Sequence, residues 1–248
     1  MAFYLITGAG RGLGLEFVKQ LSERPSSEVS TIFTTVRGPS EAPQQLVTQS
    51  PGRITVVHLV TTDRDSILTA LSQVKESLGG KGLDVLINNA AIMESSPDGV
   101  ASMDNLRRAF GVNVESVHNV TAAFLPLLRE GTQKKVLNLS SDVGSMTLGR
   151  RFIEMPFPAY KISKVALNAL TVQYALELET EGFAFVAWFR TDVGTDIADL
   201  DVSTGASAVL DVLSRLGAQL NGKFLNVHVP GWEHAEGLHQ HDGGELLW

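Results

Sequence analysis

The chain of 248 residues contains no cysteine. That excludes a disulfide framework, thiolate metal sites and a cysteine nucleophile, and it suits a reducing compartment. No long block of lysine or arginine occurs, and the net charge is −7, so nucleic acid and an anionic membrane are poor partners. Long hydrophobic runs are also missing. The first apolar stretch, residues 3–7, is too short for a signal peptide or a membrane span and runs straight into glycines. The expected location is cytoplasmic. Repeats, low-complexity segments and domain linkers are absent too, so residues 1–248 are expected to form one domain with a sizeable core. The six histidines include His234, His239 and His241, which lack the helical spacing of metal ligands, and no metal is expected.

What the chain does have begins almost at once. Leu5-Ile-Thr-Gly-Ala-Gly-Arg-Gly-Leu-Gly-Leu-Glu16 joins a strand-like run to an amphipathic helical pattern of Leu13, Phe17, Val18 and Leu21. Glycine turns also serve as plain connections; the strand before and the helix after are what point to a dinucleotide pyrophosphate. Such a ligand needs a tight turn, a close backbone approach without a Cβ, and the unpaired N–H groups of a helix N-terminus. The spacing is Thr7-Gly-x-x-x-Gly-x-Gly14 rather than Gly-x-Gly-x-x-Gly, although Gly8-Ala9-Gly10 partly imitates the latter.

Apolar strand-like runs follow at 31–36, 54–59, 83–88, 135–140, 183–189 and 223–229. Helical patterns lie between them, at about 41–49, 67–78, 103–128 (with an irregularity near Gly111), 158–179 and 205–217. Alternating short strands and helices predict an α/β fold, a parallel sheet of about seven strands with helices on both faces. Residues 191–204 are polar and aperiodic and read as a loop; the tail 230–248 shows no clear pattern.

Tyr160-Lys-Ile-Ser-Lys164 falls on a predicted helix, which puts Tyr160 and Lys164 one turn apart on the same face. An ammonium beside a phenol favours the phenolate and suits acid/base work near neutral pH. Ser141 follows the fifth strand and Asn88-Asn-Ala-Ala91 ends the fourth, at the sheet edge where ligands bind. Asn113 sits inside a helix, where its side chain is mildly unfavourable without a task.

Taken together, these motifs resemble the short-chain dehydrogenase/reductases over nearly the whole chain. Thr7-Gly-x-x-x-Gly-x-Gly14, Asn88-Asn-Ala90, Asn113, Ser141 and Tyr160-x-x-x-Lys164 appear in the family's order. The wording Tyr-Lys-Ile-Ser-Lys-Val-Ala-Leu-Asn168, with Phe124-Leu-Pro-Leu-Leu128, is most similar to the branch of the bacterial C-factor, insect sniffer carbonyl reductase and fungal norsolorinic-acid-type ketoreductases. The resemblance implies a Rossmann-like, doubly wound sheet. It implies that Tyr160 donates a proton to a carbonyl oxygen as hydride arrives, while Ser141, rather than Ser140, hydrogen-bonds that oxygen. Lys164 then holds the nicotinamide ribose and supports Tyr160, and Asn113 holds a water that links Lys164 to bulk solvent. Gly8, Arg11, Gly12, Leu13, Gly14, Arg37, Asn89, Ala90 and Thr191 complete the implied cofactor contacts, alongside Tyr160 and Lys164.

Arg11 and Arg37 stand where no acidic residue is present to bind a free ribose 2′-hydroxyl, and guanidinium matches a 2′-phosphate in charge and geometry. The expected cofactor is NADP(H). Three departures from the family pattern stand out. Val60 replaces the aspartate that usually binds adenine, leaving that task to backbone near Thr61 or to Asp63. Ala91 replaces a glycine. Val186-Ala-Trp-Phe-Arg-Thr191 lacks the usual Pro-Gly before Thr191.

The resulting expectation is an NADPH-dependent reductase of a small or polycyclic carbonyl compound, possible in secondary metabolism. Its pocket wall is expected in the loop 142–158 (Met146, Phe152, Met155, Phe157), with Trp188 and the loop 191–204. The alternatives are a C=N reductase of the same fold, and a nucleotide-binding signalling or scaffold protein without turnover. The partner is a small molecule, and assembly as a homodimer or homotetramer is expected, with Ala159, Ala166, Ala169 and Ala175 allowing close helix packing.

Overall fold

Runs of β-branched and aromatic residues form seven strands: β1 Ala2–Ile6, β2 Val29–Val36, β3 Ile54–His58, β4 Val85–Asn88, β5 Lys135–Ser140, β6 Ala184–Phe189 and β7 Phe224–Leu225. The computed structural model describes residues 1–189, 200–233 and 241–248. All seven strands join one parallel sheet in the order β3-β2-β1-β4-β5-β6-β7. The chain steps outward from β1 to β3 and then returns to β4 on β1's other side. That reversal opens a crevice at the C-terminal ends of β1 and β4, the usual ligand position in such a Rossmann-like sheet.

The helices are α1 Gly12–Glu23, α2 Glu41–Gln49, α3 Arg64–Leu78, α4 Leu106–Phe110, α5 Ser116–Glu130, α6 Pro158–Leu178 and α7 Val202–Arg215. Because successive strand side chains point to opposite faces, each strand feeds two cores. Tyr4, Ile6, Ile87 and Val186 pack with Phe17 and Leu21 of α1 and Val209 and Leu213 of α7. Leu5, Leu86, Val136 and Phe185 pack with Val74 of α3, Phe124 of α5 and Leu178 of α6. Burial on both faces explains why these strands read as continuous apolar runs.

Several sequence expectations are corrected here. The long helix expected over 103–128 is α4 and α5 joined by a π-turn, Gly111–Glu115, at the expected irregularity. Helix α7 starts three residues before Gly205, because the Asp201 side chain caps it by accepting the N–H groups of Ser203 and Thr204 at 2.9 and 3.0 Å. The end of the loop expected over 191–204 is therefore helical, while residues 190–199 lie outside the described residues. Strand β7 is only two residues long, and the tail is not patternless: its residues 241–246 pair antiparallel beyond β7, through the bridges Leu225–Glu245 and His228–Asp242. Ala159 and Ala175 are buried within the chain and leave Ala169 on the exposed face of α6.

Candidate active site

The crevice begins where β1 ends. Helix α1 starts at Gly12, and its N-cap, Arg11, makes no side-chain capping bond, so the first N–H groups of the helix face the groove uncapped. Around Gly12 the position of a Cβ is open space; at Gly14 a Cβ would lie 2.5 Å from Asn89 Nδ2 and 2.7 Å from Gly8 O. The first glycine leaves room for a ligand, and the second lets α1 press against the strand ends. Here the groove, about 660 Å³, is lined by Gly8, Arg11, Gly12, Leu13 and Gly14. Arg37, Asn89 and Ala90 line it as well, so all the predicted cofactor residues within the described chain meet in one place, apart from the α6 pair. Thr191 lies outside the described residues.

Asn89 shows how the strand ends are locked. Its Nδ2 donates to Thr7 O at 2.9 Å and Gly8 O at 3.1 Å, while its own N–H and that of Ala90 donate to Thr7 Oγ1. Its Oδ1 is buried and accepts no hydrogen bond from the described residues. A buried acceptor at the groove wall suits a ribose hydroxyl. The uncapped helix end and this acceptor together fit a dinucleotide.

At the adenine end Leu59 and Thr61 line the groove, with Ser40, which the sequence reading missed. Ser40 Oγ donates to Gly10 O at 3.2 Å and ties the loop after β2 to the glycine turn. Asp63 is spoken for: its Oδ1 accepts Ser66 N–H at 3.0 Å as the N-cap of α3. Leu59 and Thr61 stand at the groove with their backbone, while Asp63 is not among its lining residues. Arg11 and Arg37 are exposed beside the groove, and among the described residues neither pairs with a carboxylate.

Toward β5 the site is made of buried side chains. Tyr160 and Lys164 of α6 are 3% and 1% exposed, and Lys164 Nζ lies 5.3 Å from the Tyr160 ring centroid. One Lys164 N–H donates to Leu139 O at 2.5 Å, which anchors the ammonium at the end of β5. Ser140 and Ser141 take different work. Ser140 Oγ donates to Asn168 Oδ1 at 2.5 Å, within the protein, whereas Ser141 Oγ stands 3.4 Å from Asp142 Oδ1. The turn after Ser141 sits on α6, because a Cβ on Gly144 would lie 2.8 Å from Lys164 Cβ. That contact brings the serine turn and the Tyr–Lys pair together.

Asn113 joins this part to the groove. In the π-turn, its Oδ1 accepts Ile92 N–H at 2.9 Å, and its Nδ2 donates to Ile92 O at 2.9 Å and Ser163 Oγ at 3.0 Å. Ile92 lines the groove, and Ser163 precedes Lys164. The Asn113 side chain is thus committed to the protein, and its visible work is to bind α6 to the groove wall.

Above Tyr160 an apolar cluster of Val143, Phe152 and Tyr160 carries Met93, Leu148, Met155 and Phe157 against it. Met146, expected in this wall, is 71% exposed and is not part of the cluster; Met93, from the loop after β4, packs there. Lys161 Nζ donates to Phe152 O and holds the loop to α6, and burial pushes its pKa below the ordinary lysine value. The side chain of Trp188 lies outside what is described. Among the described residues no group of three or more His, Cys, Asp or Glu is placed to hold a metal ion. No described helix is long and apolar enough to cross a membrane.

Comparison with known proteins agrees with this geometry. The family model described as short chain dehydrogenase matches residues 2–203. A short-chain dehydrogenase/reductase of Aspergillus aculeatus, AacuF, is 39% identical over 201 aligned residues, covering 75% of this chain and 72% of its own. The NADPH-bound carbonyl reductase from chicken fatty liver superposes with a TM-score of 0.85 at 29% identity, over 100% of this chain and 94% of its own. Carbonyl reductase Sniffer of D. melanogaster gives a TM-score of 0.84 at 28% identity, over 100% of both chains. With the glycine cradle, the Asn89 lock and the Tyr160–Lys164 helix in place, the chain belongs to the short-chain dehydrogenase family.

Proposed function

We propose that the chain is an NADPH-dependent reductase acting on a ketone or aldehyde carbonyl. The observation that carries this reading is the buried Lys164 ammonium beside the Tyr160 ring, set against the turn after Ser141. When bound, the nicotinamide supplies the hydride. Tyr160 gives its phenolic proton to the carbonyl oxygen, and Ser141 donates a hydrogen bond to the same oxygen, so the developing alkoxide meets two placed donors. Lys164 offsets the phenolate charge left behind and reaches the nicotinamide ribose. With the Asn113 side chain committed, the water that returns a proton is held by backbone of the π-turn.

Exposed Arg11 and Arg37 bind the 2′-phosphate, which favours NADPH over NADH. The chicken carbonyl reductase, similar over its whole fold, is an NADPH-bound protein. Val143, Phe152, Met155 and Phe157 give the substrate an apolar wall, suited to an aromatic or polycyclic carbonyl compound of secondary metabolism. The chain is cytoplasmic and assembles as a homodimer or homotetramer, and the large exposed apolar residues of α6, Ile162 and Leu176, belong to the face that pairs.

One observation favours a second reading. Asp142 is buried, with its carboxylate 3.4 Å from the Ser141 hydroxyl. An acidic side chain beside the oxygen-binding serine suits an imine nitrogen, so the same hydride can go to C=N. The test is NADPH oxidation with quinones, diketones, aromatic ketones and cyclic imines. Turnover of carbonyls supports the first reading, and turnover of imines alone supports the second. No oxidation with either class, in a protein that binds NADPH, would make it a nucleotide-binding protein without turnover.

A further inference from the structure

Strand β7 leaves an outer edge whose N–H and C=O groups need partners. The tail supplies them. Leu246 N–H donates to Phe224 O at 2.8 Å, Asn226 N–H to Gly244 O at 2.9 Å, and Gly243 N–H to Val227 O at 2.9 Å. Asp242 fastens the pairing, since its Oδ1 accepts the Asn226 side-chain amide at 2.8 Å and Gly244 N–H at 2.9 Å. The Trp248 ring stacks on buried Phe224 with 5.3 Å between centroids.

Past this ladder the tail meets the turn that follows Ser141. Ser145 is 1% exposed and its Oγ donates to Leu247 O at 2.6 Å, while accepting Leu148 N–H at 3.1 Å. Thr147 gives its hydroxyl at 2.8 Å and its N–H at 3.3 Å to Trp248 O. Ser145 N–H also closes the turn on Asp142 O at 2.8 Å, and Leu148 packs on the cluster that contains Tyr160. A continuous set of contacts thus runs from the tail carbonyls through Ser145 and Thr147 to the side of Tyr160. The same turn rests on Lys164 through Gly144, so it is held between α6 on one side and the tail on the other. The cofactor groove lies across the sheet from β7, toward β1 and β2.

We propose that Ser145 and Thr147 are positioning residues, and that through them the Leu247 and Trp248 carbonyls and the Trp248 ring fix the substrate-side turn 141–148. The inference rests on the reductase reading for its kinetic consequence but not for its structural one. A turn released from two carbonyl anchors must be reordered each time substrate binds, and that entropy appears in substrate affinity rather than in cofactor affinity.

The test uses the full chain and the variants Ser145→Ala, Trp248→Ala and Trp248→Phe. It measures NADPH oxidation with 1-phenyl-1,2-propanedione as an aromatic diketone probe, NADPH affinity by fluorescence, and amide hydrogen exchange by peptide. Ser145→Ala, which loses one buried hydrogen bond, should raise the KM for the diketone about five- to tenfold with kcat changed less, and Trp248→Ala, which keeps the main-chain acceptors but loses the ring that seats them on Phe224, should raise it in the same direction. NADPH affinity should stay at the wild-type value, and faster exchange should be confined to residues 145–152 and the tail. Trp248→Phe, which keeps a ring on Phe224, should restore both. Unchanged KM and unchanged exchange at 145–152 in Trp248→Ala would overturn the proposal. So would faster exchange across the whole sheet with loss of NADPH affinity, which marks a merely structural role. If the wild type turns over no carbonyl probe, the reductase reading fails, and the exchange pattern alone decides the tail's role.

Discussion

At the β1–α1 end of the crevice, the groups that face a ligand are backbone N–H donors and two exposed guanidinium groups. At the α6 end they are the side chains of Tyr160, Lys164 and Ser141, with a buried polar network joining the strands and helices that carry them. Asn88 Nδ2 donates to Asn138 Oδ1 at 2.9 Å and to Thr121 Oγ1 at 3.0 Å, and Asn138 Nδ2 donates to Thr171 Oγ1 at 2.9 Å. This ladder joins α5, β4, β5 and α6, and a separate bond from Ser140 Oγ to Asn168 Oδ1 ties the end of β5 to α6. Backbone binds the same way whatever side chains surround it, provided nothing blocks its approach. A buried network has no such latitude, because every deletion leaves a partner unpaired. The cradle should therefore tolerate side-chain change and lose mainly selectivity, while the α6 end should lose activity or stability.

The largest effect expected at the α6 end is that of Lys164→Ala. One ammonium serves both the ribose and the phenol, so turnover should fall roughly 10²–10⁴-fold and NADPH affinity should fall with it. Steady-state kinetics with NADPH titration measures both; a fall in kcat with affinity intact would place Lys164 outside the cofactor site. The glycines of the cradle are the exception, since Gly8 has a positive φ with Ala90 close by and Gly14 is packed against Asn89. Gly14→Val puts a branched side chain where even a Cβ would lie 2.5 Å from Asn89 Nδ2. NADPH binding should be lost or the melting temperature sharply lowered, and tight NADPH binding in this variant would contradict the close-approach argument.

Replacing Arg11 and Arg37 together by alanine should weaken NADPH binding about 10–100-fold, as expected for charge-assisted hydrogen bonds, and leave NADH binding nearly unchanged. Equal loss for both cofactors would mean that the arginines attract any dinucleotide and read no 2′-phosphate. The smallest effect is on stability. Asn138→Ala leaves one of the two Asn88 Nδ2 hydrogens without its acceptor and takes a donor from Thr171 Oγ1, while the bonds to Thr121 and Leu167 O remain, and should cost about 1–3 kcal/mol in chemical denaturation. A neutral result would show that the ladder is replaceable and would erase the contrast between the two ends.

The same contrast explains what could be read from sequence. The cradle and the Tyr160–Lys164 pair depend on neighbours within a dozen residues, so their glycines and their one-turn spacing are visible in the chain. The parallel sheet followed from apolar runs that are buried on both faces. The start of α7 was hidden because Asp201 reads as one more polar loop residue until its cap bonds to Ser203 and Thr204 are seen. Asp63 was open to an adenine role for the same reason and proves to be a cap. The tail's docking on Ser145 and Thr147 left no trace, since the partners are 102 and 101 residues apart and the acceptors are backbone carbonyls, which every residue has. Met146 misled because a methionine in a loop suggests packing, whereas this one is exposed.

The measurement that tests the account most directly is NADPH oxidation by Tyr160→Phe, beside its NADPH affinity, on whichever carbonyl probe the wild type reduces. Phenylalanine keeps the ring that packs with Val143 and Phe152 and removes only the proton donor. The account predicts wild-type NADPH affinity with turnover lowered roughly 10²–10⁴-fold. Turnover close to wild type in this variant would contradict it, because the proton for the carbonyl oxygen would then come from a group other than Tyr160.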